Sequence, residues 1–90
     1  MSNFYSIYIS VKDSITTEQV KNEMDKALDW FRLDKNCWIV YSTSEIDKWM
    51  ARLKKLVEPE GSLFICKMDI TDRNGWMTKE FWEWLKKDRS

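Results

Sequence analysis

The sequence predicts an α+β domain in which strands and helices follow the order strand, helix, strand, strand, helix, strand, with a third helix at the end. Three observations lead there. Stretches that alternate with period two are interleaved with stretches of helical period. Turn and stop residues fall between them. Six Trp, four Phe and three Tyr are available to build a core in 90 residues. A chain this short buries only roughly 60% of its unfolded surface, and each aromatic side chain removes about 150–250 Å² from water.

In FYSIYISV, residues 4 to 11, Tyr5, Ile7, Ile9 and Val11 share one side and Phe4, Ser6, Tyr8 and Ser10 the other. That alternation predicts the first strand. Thr16 and Gln19 have capping-box spacing, and Val20, Met24, Ala27 and Leu28 then trace one face of a helix over roughly 17 to 29. Asp34-Lys35-Asn36 is turn chemistry. It predicts a hairpin between a short strand at 30 to 33 and a longer one at 37 to 42, with extension of the first helix through Phe31 as the alternative. Ser44 and Asp47 mark a second helix start. Ile46, Trp49, Met50, Leu53 and Val57 form its stripe, and Pro59 and Gly61 stop it. In SLFICKMDI, 62 to 70, Phe64, Cys66, Met68 and Ile70 alternate with Leu63, Ile65, Lys67 and Asp69. Thr78 can cap a last helix of about nine residues, with Glu80 in its first turn and Lys86, Lys87 and Arg89 in or beyond its last, signs that suit the helix dipole.

The first six elements have the split βαβ, or ferredoxin-like, order. It implies a four-stranded antiparallel sheet with two helices on one face. Residues 1–90 read as one domain, with 76–87 as a helical extension. A sheet covered on one side should be polar on the other. Here Phe4 and Tyr8 lie opposite the core set of the first strand, Trp38 and Val40 opposite Ile39 and Tyr41, and Leu63 and Ile65 opposite Phe64 and Cys66. Something must cover at least part of the second face. The last helix can fold back on Met77, Phe81, Trp84 and Leu85, or a second copy of the chain can pack there, and the two are compatible. Trp82 lies off that stripe.

Composition removes several classes of function. Fifteen Lys and Arg balance fifteen Asp and Glu, which argues against a dedicated, strongly basic nucleic-acid binder. With no histidine, His-based acid–base chemistry, His metal sites and Ser-His or Cys-His triads are absent. No apolar run reaches the ~18–20 residues of a membrane span. The first ten residues lack the basic start of a signal peptide. Cys37 and Cys66 sit in apolar runs and form no CxxC pair, so they read as two buried free thiols of a cytoplasmic protein.

WIVYSTS before a helix, then SLFICKMDI, then GWMTKEFWEWL, together resemble the small proteins labelled SinR-like, which are unrelated to the transcription regulator of that name. These share the ferredoxin-like fold of the small CRISPR-associated adaptation endonuclease. The resemblance covers nearly the whole chain, and the terminal Gly-Trp segment is its most specific part. It implies a homodimer. In the nuclease relatives it also implies an acidic metal ligand near the end of the first strand, where carboxylates paired across two subunits hold Mg²⁺ or Mn²⁺. Lys12 occupies the aligned position here, and Asp13 follows it. One residue at a strand end turns a side chain to the other face.

The expectation is therefore a non-catalytic, dimeric interaction protein without a cofactor. A metal-dependent or degenerate nuclease is one alternative, and a small-ligand or nucleotide binder is the other. Trp76, Phe81, Trp82 and Trp84 are the candidate partner interface, for a second copy or another protein. Lys12, Arg32 and Lys35 are candidate phosphate contacts, with Trp30 or Phe31 as a stacking surface. Asp13 is the candidate metal ligand of the nuclease alternative, against an ordinary turn aspartate.

Overall fold

The computed structural model describes residues 1–89. Four strands, β1 (Asn3–Ser10), β2 (Asp29–Arg32), β3 (Cys37–Ser42) and β4 (Ser62–Met68), form one antiparallel sheet in the order β2-β3-β1-β4. Three helices, α1 (Thr17–Met24), α2 (Ile46–Val57) and α3 (Lys79–Lys86), complete the fold. The central strand is β1, the one with the cleanest alternation, and it pairs with β3 on one side and β4 on the other.

Two hydrophobic cores result, one on each face of the sheet. The larger lies under α1 and α2. Tyr5, Ile7 and Ile9 of β1, Trp38 and Val40 of β3, Val20 and Met24 of α1, and Trp49, Leu53, Leu56 and Val57 of α2 are all buried there. Leu63 and Ile65 pack against its edge. The faces of β3 and β4 are thus the reverse of the expected ones: Trp38, Val40, Leu63 and Ile65 lie under the helices, and Ile39, Phe64 and Met68 face away. Pairing forces this, because Tyr5 stands opposite Val40 and Ile7 opposite both Trp38 and Ile65, and paired residues share a face. Two polar groups of this core have partners. The Tyr5 hydroxyl donates to the Ser44 carbonyl (2.9 Å), and the Trp49 indole N–H donates to Ser42 Oγ (3.1 Å).

The first helix has its full capping box: Gln19 N–H donates to Thr16 Oγ1, and Thr16 N–H to Gln19 Oε1. It ends at Met24, short of the expected residue 29. Ala27 N–H donates to the Met24 carbonyl in a turn, the Trp30 indole donates to Asp25 Oδ1, and Leu28 is left 64% exposed. The hairpin of β2 and β3 forms as expected, starting one residue earlier at Asp29. Asp34 closes its turn by accepting the N–H groups of Asn36 and Cys37.

At the start of α2 the expected Ser44 cap is not used. Glu45 is the N-cap, without a side-chain hydrogen bond, while Ser44 is engaged by Tyr5 and Ser42. The buried stripe of α2 turns toward Leu56, leaving Ile46 and Met50 exposed. Glu23 ties α1 to α2 through Lys55 (3.2 Å) and also holds Lys26 (2.7 Å). Partial burial raises the Glu23 carboxyl pKa, but these two lysines outweigh it and leave the group below the ordinary value.

Candidate interaction surface

The second, smaller core is built by α3. Thr78 caps the helix by accepting the Phe81 N–H (3.3 Å). Phe81 and Leu85 are buried, and they pack with Ile39, Phe4, Phe31, Met68 and Ile70 on the sheet face opposite α1 and α2. Phe31 meets Phe81 edge-on (5.4 Å between centroids) and Trp84 at a tilt (5.6 Å), both favourable aromatic geometries.

Past α3 the chain is clamped to the sheet. The Arg89 guanidinium lies over Trp84, Phe4 and Tyr41, at 4.6, 5.3 and 5.3 Å from their ring centres. It donates to the Trp84 carbonyl (2.6 Å) and pairs with Asp29 (3.4 Å), which Lys87 also reaches (3.3 Å). Burial works to raise the Asp29 pKa. The Trp84 indole aimed toward it, the Lys87 contact and the Trp30 N–H outweigh burial, and the carboxyl lies below its usual value.

The four expected interface residues therefore have different roles. Phe81, 7% exposed, and half-buried Trp84 serve the chain's own core. Trp82 rests edge-on against Phe81 and flanks Gly75, half-buried. Trp76 is 99% exposed and free for a partner.

The last helix covers only part of the second face. Tyr8 stands between Cys37 and Phe64 across the strands, and Ser6 stands opposite Cys66. Tyr8 is 43% and Phe64 66% exposed, and Cys66 is exposed as well. This strip borders β4, whose outer edge has no strand partner among the described residues. Phe64 was legible only through strand pairing, since its own strand has apolar residues on both sides.

The two thiols differ in setting. Cys66 was expected to be buried; it is exposed, because the second core reaches β4 only at its Met68 end. Half-buried Cys37 has its pKa raised, first by desolvation and then by Asp34, which keeps it protonated. Asp13 is exposed in the turn after β1. No group of three His, Cys, Asp or Glu suited to a metal ion exists among the described residues.

Two of the three basic candidates, Arg32 and Lys35, come together beside the first core. Arg32 and Lys35 line a cavity of about 190 Å³ with Ile9, Val11, Ile15, Thr17, Val20, Asn36 and Trp38. Lys12 follows the wall residue Val11 and ties its loop to α2 through its N–H on the Leu56 carbonyl. The expected stacking residues are engaged elsewhere: Phe31 in the second core, Trp30 against Trp38. Trp38 is the ring beneath Arg32 (5.0 Å). The hairpin turn carried that signal, because it sets Arg32 opposite Trp38.

Comparison with protein-family models, curated proteins and solved structures finds no match to this chain. No helix among the described residues is long and apolar enough to cross a membrane.

Proposed function

We propose that this chain is a non-catalytic interaction protein of ferredoxin-like fold, akin to the SinR-like group, that acts as a homodimer. The observation that carries the reading is the uncovered strip of Tyr8, Phe64 and Cys66 beside the unpaired edge of β4. An open, apolar edge strand is a template for pairing, and β4 contains no proline and only one charge, Lys67. Two copies joined antiparallel along β4 extend the sheet and bury Phe64 and Tyr8 from each. The strand order read from that edge, β4-β1-β3-β2, supports the ferredoxin-like assignment, as do α1 and α2 sharing one face. Two unpaired thiols suit the reducing cytoplasm.

Native mass spectrometry of the purified protein tests the reading. The expected result is a dimer of the 10.9 kDa chain, converted to monomer by Phe64→Lys with an unchanged circular dichroism spectrum. A monomeric parent protein overturns it. A dimer that Phe64→Lys leaves intact moves the interface elsewhere, with Trp76 the next residue to vary.

A further inference from the structure

The geometry points to the cavity between the β2–β3 hairpin and the start of α1 as a binding site for a small organic oxyanion: an apolar body of about one ring with a phosphate or carboxylate head.

The size suits such a ligand. The cavity of about 190 Å³ is somewhat larger than the roughly 150 Å³ apolar hole that accepts a benzene. Its floor is apolar and fixed, since Ile9, Val20 and Trp38 are buried members of the main core. Its rim is cationic. Arg32 is held in place by stacking on Trp38 and by donating from Nε to the Asp34 carbonyl (3.2 Å) and from Nη2 to the Lys35 carbonyl (2.9 Å). Those bonds leave Nη1 without a hydrogen-bond partner among the described residues. The preorganised guanidinium therefore has little entropy to lose when it meets an anion.

Charge supports the same assignment. Elsewhere several lysines are paired, such as Lys26 and Lys55 with Glu23 or Lys87 with Asp29. Among the described residues, the two cations of the lining, Arg32 and Lys35, form no ion pair, and neither does Lys12, next in sequence to the lining residue Val11. Asp34, the nearest acid in sequence, directs its carboxylate to backbone N–H groups. Thr17, the first residue of α1, also lines the opening, and it brings the positive end of the helix dipole to the rim. Apolar floor and cationic rim together select an amphipathic anion over a neutral ring or a bare ion.

The test is a titration of the isotope-labelled full chain, followed by the NMR shifts of the Trp38 indole and the amides of Ile9, Val20 and Asn36. The probes are phenyl phosphate and benzoate, with benzyl alcohol as the neutral control and inorganic phosphate as the head alone. Saturable shifts at these four positions with either aryl anion are expected, and which one binds tighter identifies the head group. Affinity should fall about tenfold or more in Arg32→Gln and in Lys35→Gln, as expected when a charge-assisted bond is lost. Lys35 is exposed, so that variant remains informative if Arg32→Gln unfolds. The proposal is overturned if the four positions do not shift, if benzyl alcohol or inorganic phosphate binds as well as the aryl anions, or if Lys35→Gln binds as tightly as the parent.

Discussion

Ser42 holds two donors at once, the Trp49 indole N–H at 3.1 Å and the Ser44 backbone N–H at 3.0 Å, in a site almost closed to water. Ser42→Ala orphans a buried indole, and leaving such a donor unsatisfied costs about 1–3 kcal/mol. Urea denaturation should show that loss, with an unchanged slope because the fold is the same. Asp29 carries a different kind of dependence. Its folded pKa is depressed, so its contribution is fully present above the ordinary value of about 3.9 and is lost as pH falls through the lower folded value. Asp29→Asn should lower stability at neutral pH and flatten the acid limb of a plot of urea midpoint against pH. An unchanged acid limb would mean that Lys87 and Arg89 do not hold the carboxylate in solution.

At the scale of elements, Gly61 marks the joint between α2 and β4. Its N–H donates to the Val57 carbonyl (2.6 Å), and an added Cβ would run into the backbone carbonyl of Ser10. Neither neighbour is a flexible side-chain tip, so Gly61→Ala should cost about 1–3 kcal/mol, as overpacking does, read as a lower thermal midpoint. The sequence named Gly61 as a helix stop; its close approach to β1 required the fold. The element order, the Asp34 turn and the Thr16 and Thr78 caps were legible for the same reason: each rests on chemistry within a few residues. What was not legible depended on distant partners. The helical period through Ala27 and Leu28 outlasts α1 because the turn after Met24 returns Ala27 to the core. Ser44 is a sound cap by local chemistry, but its backbone is held by Tyr5, from 39 residues away, and by Ser42, and the N-cap position falls on Glu45. Of the candidate site residues, Arg32 and Lys35 were found by charge, whereas Trp38 beneath them and Phe64 on the open face needed the pairing of strands.

At the scale of the molecule, one sheet serves two unequal cores, and the smaller is finished by the clamp of Arg89 and Lys87 on Asp29. The proposed dimer adds a third apolar contact at the end that α3 leaves open. An interface of Phe64 and Tyr8 should be insensitive to screening. Raising the salt to 1 M, where the Debye length is about 3 Å, should leave the dimer fraction in light-scattering chromatography unchanged; dissociation would place charged groups in the interface instead. The two-core arrangement also bears on how such a sequence can vary through descent. Along β1, Tyr5, Ile7 and Ile9 belong to one core while Phe4 belongs to the other. Gain or loss of a single codon inside that strand would exchange the two sets and disorder both cores together, whereas one in the loop after β4 would disturb neither register. Relatives of this chain should therefore differ in length between the strands and keep the strands themselves free of insertions.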